Sequence, residues 1–352
     1  MTAPALREGV SLRPFNTLGL DARARYFAAL GQSRELPGLL ARADDLGLPA
    51  LILGGGSNLL FAGDVDALVI HMAIRGRRWE QVEDDTAILA LGAGEPWHEA
   101  VLYAAGAGYR GIENLALIPG TAGAAPVQNI GAYGVELRDT LVSVSAWDTA
   151  LGAECHLSAE ECRFGYRDSV FKHEPGRYII TGIRLRLSRS RPFSLDYGDL
   201  RHCLEQRLGS SDGGGRLTPR AVAETVMAIR RDKLPDPSTL PNAGSFFKNP
   251  VVDRAVFEGL KARYPDMPSY DQGEGVKLAA GWLIDQCGWK GHRDARVGVH
   301  SRQALVLINH AGGSGADLLD LARRIRASVE ERFGVALEME PGVVGGSEPP
   351  TR

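Results

Sequence analysis

The chain has 352 residues, of which 44% are hydrophobic and 24% are charged, and its formal net charge is -3. This length predicts two or three domains, the weak net charge excludes a broad basic surface for nucleic acid, and no run reaches the roughly 18 consecutive apolar residues of a membrane span. Four scattered cysteines without a CxxC pair argue against a disulfide framework or a zinc site. Together with an N-terminus that lacks an apolar signal, they predict a protein of the reducing cytosol with no metal centre.

The first half of the chain predicts strands interleaved with helices, beginning in a βαβ-like arrangement. Apolar runs and period-two alternation predict strands at 28–30, 48–53, 67–71, 86–91, 141–148 and 178–187. Helical spacing predicts helices at 33–46 and from about residue 97.

The second half begins after a composition break at 209–217, GSSDGGGRL, which predicts a flexible linker. Thr218 has the character of an N-cap and Pro219 that of a first helical residue, so a helix is expected to 232. Further helices are expected at 276–287 and, with one continuous apolar stripe, at 314–333, where Gly334 ends the helix. Strands are expected at 304–309 and 335–340, and the tail GGSEPPTR is expected to be disordered.

A match to the dinucleotide fingerprint GxGxxG lies at 106–111. The fingerprint has to follow a strand and open a helix. Here it follows a helical pattern, WHEAVLYAAGAG, so we interpret it as a helix stop and a turn.

Two glycine-rich segments are candidates for ligand binding. GGGSN at 54–58 directly follows a predicted strand and could offer backbone N–H groups to a phosphate, although an ordinary strand connection fits equally well. The segment 118–134, IPGTAGAAPVQNIGAYG, is long for a plain loop and its small residues would let the backbone approach a large flat ligand. The alternative for this second segment is a loop packed over the core.

Two further turns concentrate polar groups, RFGYRDS at 163–169 and GSFFKNP at 244–250. An arginine such as Arg167 can clamp a carboxylate with two hydrogen bonds, and a hydroxyl such as that of Ser245 can donate a proton. From these residues alone, however, a surface ion pair and a capping serine are the better interpretations.

Taken together, ten such segments resemble the UDP-N-acetylenolpyruvoylglucosamine reductase (MurB) family. They occur in the family's order from about residue 16 to 345 and include LILGGGSNLLF, ENLALIPGTAGAAPVQNIGAYGVEL, ECRFGYRDSVFKHE, YGDL, KLPDP, NAGSFFKNP, VKLAAGWLIDQCGWKG and LEME. Two departures are Ala122 for the usual Val and Pro341-Gly342 in place of a Val and a basic residue after Glu340.

The resemblance implies an α+β flavoprotein fold. An FAD-binding domain of the PCMH or vanillyl-alcohol-oxidase type, built from two subdomains, would span 16–188, a tyrosine loop and linker 189–217, and a C-terminal substrate domain 218–345. The last strand, near 335–345, would be able to pack back on the FAD domain. FAD would be the cofactor and NADPH the hydride-donating co-substrate of a cytoplasmic enzyme, expected as a monomer that binds neither nucleic acid nor membrane.

The resemblance also implies a reaction and roles for its residues. Hydride would pass from NADPH through FAD to the vinyl carbon of UDP-N-acetylglucosamine enolpyruvate, giving UDP-N-acetylmuramate for peptidoglycan. Arg167 and Glu340 would stabilise the resulting enolate and Ser245 would protonate it. The matches to the flavin loops are Gly54, Gly55, Gly56, Ser57, Asn58, Gly120, Thr121, Gly123, Ala124, Asn129, Gly131, Ala132, Tyr133 and Gly134. The matches to substrate contacts are Tyr197, Lys233, Asn249 and Lys277. Arg230 lies three residues before Lys233, on about the same helix face, and is expected to contact the diphosphate.

Three alternatives stay open from the sequence. Glu338 lies two residues before Glu340 and would point to the same face of a strand, so either glutamate can be the acting one. Another FAD enzyme of this fold class, an alditol or lactone oxidase, would react with oxygen but does not predict NAGSFFKNP or LEME. A non-catalytic relative that binds a flavin or a nucleotide sugar is expected to lack Arg167, Ser245 or the C-terminal glutamate.

Overall fold

Strands and helices follow one another in the computed structural model, which describes residues 4–209, 217–273 and 275–346. The strands, in chain order, are β1 (Arg7–Ser11), β2 (Arg23–Leu30), β3 (Ala50–Leu53), β4 (Leu59–Phe61), β5 (Val65–Met72), β6 (Arg77–Glu80), β7 (Thr86–Gly92), β8 (Gly131–Ala132), β9 (Val135–Glu136), β10 (Leu141–Asp148), β11 (Ala153–Ser158), β12 (Tyr178–Ser188), β13 (Val251–Asp253), β14 (Ser269–Asp271), β15 (Gly275–Leu278), β16 (Val297–Val299), β17 (Leu307–Asn309) and β18 (Gly342–Val344). The α-helices are α1 (Leu36–Asp45), α2 (Trp97–Gly106), α3 (Val170–His173), α4 (Leu200–Leu208), α5 (Pro219–Lys233), α6 (Arg254–Arg263), α7 (Ala280–Gln286) and α8 (Gly315–Phe333).

The chain divides into two compact units, each assembled from separate stretches of sequence. The first unit consists of Met1–Glu8, Tyr26–Gly55 and Ala67–Asp232. The second consists of Gly9–Arg25, Gly56–Asp66 and Lys233–Arg352.

The first unit holds a five-stranded antiparallel sheet in the order β11-β10-β12-β7-β6. The parallel pair β3–β5 belongs to a separate four-stranded sheet, ordered β1-β2-β5-β3. Trp97, at the first turn of α2, is 1% exposed, and its indole N–H donates to the Leu115 carbonyl at 3.1 Å. The largest side chain of this core is therefore both buried and satisfied, which suits the amphipathic indole.

The second unit is built on short sheets and the long helix α8. Its sheets are β13-β15-β14, β16-β17 and the parallel pair β18-β4. Ser314 and Asp317 form a reciprocal capping box at the start of α8, and Gly334 ends the helix with φ of 66°. The predicted stripe of α8 is buried along its full length: Leu318, Leu321, Ala322, Ile325, Val329 and Phe333.

Most of the sequence-predicted elements are confirmed. The strand at 141–148 has the predicted bounds, and the strands at 28–30, 67–71, 86–91 and 178–187 are observed with somewhat longer bounds. The helix from Pro219 is also confirmed, and the Thr218 hydroxyl accepts a hydrogen bond from the Ala221 amide at 3.1 Å. The GxGxxG segment is a helix stop as predicted, since α2 ends at Gly106 and the glycines at 108 and 111 have φ of 83° and 128°.

Two predictions for the C-terminal half of the chain are wrong in part. The helix expected at 276–287 begins only at Ala280, because Val276 and Leu278 are buried on one face of β15, the middle strand of its sheet. The segment 335–340 forms no regular strand and makes a single bridge, between Phe247 and Met339, and the regular strand β18 follows it. The predicted strands at 48–53 and 304–309 are shorter, at β3 and β17. The predicted linker and tail fall largely on 210–216 and 347–352, outside the described residues.

Candidate active site

Two turns of the first unit meet in a contact that we call the glycine cradle, formed by Gly54, Gly55, Gly120 and Thr121. A Cβ added to Gly54 would lie 2.8 Å from the Thr121 Oγ1, and one added to Gly55 would lie 2.9 Å from the Gly120 Cα. Both distances are shorter than normal van der Waals contact, so the cradle requires glycine at both positions. The Thr121 Oγ1 is buried and has no hydrogen-bond partner among the described residues. An orphaned hydroxyl beside two side-chain-free residues fits a bound polar group such as a phosphate.

The segment after the cradle is a chain of tight turns that ends in the hairpin β8–β9. A Cβ on Gly123 would lie 2.5 Å from the Ala93 Cβ, and the Gly123 amide donates to the Ala93 carbonyl at 2.8 Å. Gly123 therefore acts here by close approach rather than by offering its N–H group. Tyr133 and Gly134, which join β8 to β9, have φ of 49° and 78°, as a two-residue hairpin turn of the primed type requires.

The remaining residues of the GGGSN segment belong to the second unit. Gly56 has φ of 58°, and a Cβ there would lie 1.9 Å from the Phe15 carbonyl oxygen. The Asn58 side-chain N–H donates to the Glu340 carbonyl at 3.1 Å, and the Gly342 amide donates to the Asn58 carbonyl at 3.0 Å. The half-buried Ser57 lies between Gly56 and Asn58 in sequence. Asn58 thus fixes the backbone that carries Glu340.

Arg167 lies at the tip of a tight turn in the first unit, 165–169, which we call the arginine turn. Gly165 and Asp168 form an antiparallel bridge across it, and Arg167 has φ of 54°. A left-handed conformation in a residue with a side chain costs about 1–3 kcal/mol and is often found where function demands it. The half-buried Arg167 guanidinium donates to the Gly131 carbonyl at 2.8 Å.

A second arginine, Arg230 in α5, interacts electrostatically with Arg167. Burial and then the positive charge of Arg167 lower the pKa of Arg230, while Tyr133 opposes this effect. The Arg230 Nε is buried without a hydrogen-bond partner among the described residues. Two guanidinium groups that repel each other, one with an orphaned N–H, favour a bound anion.

Tyr133 connects this region to the exposed Tyr197. The two rings make an edge-to-face contact with centroids 6.1 Å apart, and burial raises the pKa of Tyr133. Tyr197 is 52% exposed. Tyr197 therefore presents an exposed ring beside the half-buried Tyr133.

Ser245 and the two candidate glutamates lie in the second unit, where 246–248 pairs with 338–340. The Glu340 amide donates to the Phe246 carbonyl at 2.9 Å, one residue from Ser245, and the Lys248 amide donates to the Glu338 carbonyl at 2.9 Å. The Glu338 side chain is exposed and forms an ion pair with Lys248, whereas Glu340 is half-buried.

The remaining predicted substrate contacts are distributed among different local settings. The Asn249 side-chain oxygen accepts the Ala280 amide at 3.0 Å, at the start of α7. The Lys277 ammonium lies 5.6 Å from the centre of the Tyr270 ring, and Lys233 is the exposed last residue of α5.

Sequence reasoning gave no role to Asn114, which the structure places beside the predicted site residues. Its side-chain N–H groups donate to the carbonyls of Tyr133 at 2.8 Å and Ser194 at 2.7 Å. Asn114 is 1% exposed, so it fixes the β8–β9 turn against the segment that precedes Tyr197. Only its place within the motif ENLALIPG could have drawn attention to it.

Two negative findings apply to residues 4–209, 217–273 and 275–346. Within these ranges no three histidine, cysteine, aspartate or glutamate residues are grouped as a metal ion would require. No α-helix there has the length and apolarity to cross a bilayer.

Comparison with known families and proteins gives a consistent result along the chain. The family model of an FAD binding domain matches residues 24–158, and that of the UDP-N-acetylenolpyruvoylglucosamine reductase C-terminal domain matches residues 236–344. Proteins named UDP-N-acetylenolpyruvoylglucosamine reductase from Pseudomonas putida and Pseudomonas aeruginosa are 50% and 51% identical, over 96% of this chain and 98% of each relative. The relative of that name from Chromobacterium violaceum is 51% identical over 95% of this chain and 98% of its own.

A solved structure supports the same assignment. The crystal structure of the reductase (MurB) from Thermus caldophilus covers 97% of this chain and 100% of its own, with a TM-score of 0.67 and 26% identity. The predicted fold class, α+β with an FAD-binding domain, is confirmed. The chain is therefore an oxidoreductase with an FAD-binding domain, and it belongs to the UDP-N-acetylenolpyruvoylglucosamine reductase family.

Proposed function

We propose that this chain reduces UDP-N-acetylglucosamine enolpyruvate to UDP-N-acetylmuramate in the cytoplasm, with NADPH as the hydride donor, as a step of peptidoglycan synthesis. The observation that carries the proposal is the arginine pair Arg167 and Arg230 in the first unit: the buried Arg230 Nε has no hydrogen-bond partner among the described residues, and the positive charge of Arg167 acts on Arg230. Such a pair suits a substrate with a carboxylate, and this substrate carries a carboxylate beside its reacting double bond. The names of relatives about 50% identical to this chain support the same reaction.

FAD fits the residues of the glycine cradle. The close approach of Gly54 and Gly55 to Gly120 and the orphaned Thr121 hydroxyl suit a pyrophosphate. When bound there, FAD supplies the two-electron chemistry that passes hydride from NADPH to the vinyl carbon. The chain's own contribution is to bind, to orient and to stabilise charge.

Arg167 stabilises the negative charge that develops on the carboxylate and the adjacent carbon as hydride arrives. Its turn is fixed by local hydrogen bonds, so the guanidinium needs little reorganisation during the reaction. Arg230 adds a second positive charge nearby, either at the same carboxylate or at the diphosphate.

Ser245 donates a proton to the carbon next to the carboxylate, and Glu340 helps to polarise the carboxylate. Because two carboxylates repel, Glu340 acts either protonated or bridged to the substrate carboxylate by a cationic group. Glu340 is favoured over Glu338, since Glu338 is exposed and paired with Lys248. Tyr197, Lys233, Asn249 and Lys277 complete the proposed contacts to the UDP-sugar.

We also propose that the chain consists of an FAD-binding domain at 16–188, a tyrosine loop and linker at 189–217, and a substrate domain at 218–345. We propose that the protein is a monomer.

The Ser245→Ala variant tests the proton-donor role. Reduction of bound flavin by NADPH is expected to stay close to wild type, whereas reduction of the enolpyruvyl sugar slows by at least about 100-fold. Stopped-flow absorbance measures the two half-reactions separately, with the exposed Ser301→Ala as the control. Equal slowing of both half-reactions would contradict the assignment.

A pair of substitutions separates the two glutamates. Glu340→Gln is expected to slow substrate reduction strongly, while Glu338→Gln, which removes the charge of an exposed carboxylate paired with Lys248, is expected to change it less than about threefold. The reverse order of effects would assign the role to Glu338.

A further inference from the structure

The side-chain amide of Asn129 connects two segments that are far apart in sequence. Its Nδ2 donates to the Glu136 Oε2 at 3.0 Å and to the Gly165 carbonyl at 3.1 Å. Its Oδ1 accepts the Arg138 amide at 3.0 Å, and the residue has no exposed surface. Asn129 therefore ties the β8–β9 hairpin to the arginine turn.

This tie lies at the base of the turn that presents Arg167. Gly165 pairs with Asp168 in the bridge that closes the turn, so a hydrogen bond to the Gly165 carbonyl restrains the turn at its base. The Ser169 Oγ donates to the Val127 carbonyl, providing a second tie at 2.5 Å on the other side. The left-handed Arg167 lies between the two ties.

The same hydrogen bonds leave the Asn129 amide little capacity for a ligand. An asparagine side chain has two N–H donors, and Glu136 and Gly165 accept both of them. The backbone N–H of Asn129 donates to the Pro126 carbonyl at 3.2 Å. Every N–H group of the residue is thus used inside the protein.

We propose that Asn129 is a positioning residue, which holds the arginine turn so that Arg167 faces the substrate, and that its side chain is not a contact of the flavin. The inference rests on the proposed function, because it takes the role of Arg167 from there. Asn129 also suits its backbone: φ is 42°, and asparagine tolerates this left-handed conformation better than most residues do. Aspartate would instead place a second carboxylate against that of Glu136.

Asn129→Gly provides the test, because glycine keeps the left-handed backbone without strain and removes only the amide. Gln81→Gly is the matched control, since Gln81 is exposed and also left-handed, with φ of 47°. In Asn129→Gly, we expect FAD affinity and flavin reduction by NADPH to stay within about threefold of wild type. Reoxidation by the enolpyruvyl sugar slows about 10- to 100-fold, as a misplaced charge-stabilising group would cause.

Two measurements separate positioning from a merely structural effect. In an Arg167→Lys background, Asn129→Gly is expected to slow reoxidation by less than about threefold further, because both changes disturb the same contact. In the protein without FAD, hydrogen–deuterium exchange at 165–169 is expected to rise in Asn129→Gly but not in Gln81→Gly. Asn129→Asp, which keeps the size of the side chain, is expected to act in the same direction as Asn129→Gly.

Three results would overturn the inference. FAD affinity that falls more than tenfold in Asn129→Gly would make the side chain a flavin contact. If the slowing of reoxidation by Asn129→Gly and that by Arg167→Lys multiply fully in the double variant, the two residues act independently. Unchanged hydrogen–deuterium exchange at 165–169 in Asn129→Gly would show that Asn129 does not restrain the arginine turn. If instead the wild-type enzyme is not reoxidised by the enolpyruvyl sugar, the proposed function fails, while the exchange comparison still decides whether Asn129 fixes the turn.

Discussion

Gly55→Ala is the substitution that addresses the glycine cradle most directly. The added Cβ would lie 2.9 Å from the Gly120 Cα, whereas carbon atoms pack best at about 3.5–4.0 Å. Gly55 does not have a left-handed backbone, so the added methyl acts by contact alone. The two turns of the cradle must therefore separate by about half an ångström or more, and overpacking of this kind costs about 1–3 kcal/mol.

If the cradle binds the FAD pyrophosphate, that cost weakens cofactor binding. The expected rise in the FAD dissociation constant is about 5- to 150-fold, measured by titration of the apoprotein with FAD and the quenching of flavin fluorescence. Gly106→Ala is the matched control, because a Cβ there meets nothing within 4 Å at the end of α2. Alanine also has a higher helix propensity than glycine, so Gly106→Ala is not expected to weaken α2. FAD binding as tight as wild type in Gly55→Ala, with reduced thermal stability, would refute the cradle as the cofactor site.

Three further predictions concern helix capping, pH and charge. Ser314→Ala removes the capping box with Asp317 and is expected to lower the free energy of unfolding by about 1 kcal/mol in urea titrations; an unchanged value would contradict the contribution of the cap. The His98 Nδ1 accepts a hydrogen bond from the Leu117 amide. Burial, and to a smaller extent the positive charge of Arg231, lower the pKa of His98 from 6.5. The contribution of His98 to stability is therefore complete above pH 6.5 and is lost as the pH falls toward the folded-state pKa. His98→Asn keeps an acceptor without titrating, and its free energy of unfolding is expected to change less than that of wild type between about pH 7 and 5; equal slopes would exclude His98. Arg167→Lys is expected to slow substrate reduction but not flavin reduction by NADPH, because a point charge cannot replace a planar two-bond clamp; stopped-flow absorbance shows this, and unchanged substrate reduction would count against the clamp.

The sequence was sufficient where local signals agree with burial. The Ser314 cap, the apolar stripe and Gly334 all specify α8, and period-two alternation specifies β12. The sequence was insufficient where strand pairing determines the secondary structure. The segment VKL at 276–278 has an apolar pattern that fits a helix, but it forms the middle strand between β13 and β14. Residues 335–340 alternate as a strand does, yet they pair with their neighbour at only one bridge.

The site shows the same division. The roles of Arg167, Ser245 and both glutamates were predicted from the resemblance of the long segments that contain them, and these roles stay predictions. The hydrogen-bonding network around them could not be predicted, since the contacts of Asn129 with Gly165 and of Asn114 with Ser194 join positions distant in sequence. Only the fold brings such residues together.

The central claim is that one bound flavin carries hydride from NADPH to the enolpyruvyl sugar. The most direct measurement is the visible absorption spectrum of the purified protein under anaerobic conditions, with NADPH added in stoichiometric amount and then UDP-N-acetylglucosamine enolpyruvate. We expect a flavin band that bleaches with NADPH and returns with the enolpyruvyl sugar. A band that returns only when air is admitted would contradict the claim in favour of an oxidase, and a protein that neither contains nor takes up flavin would contradict it altogether.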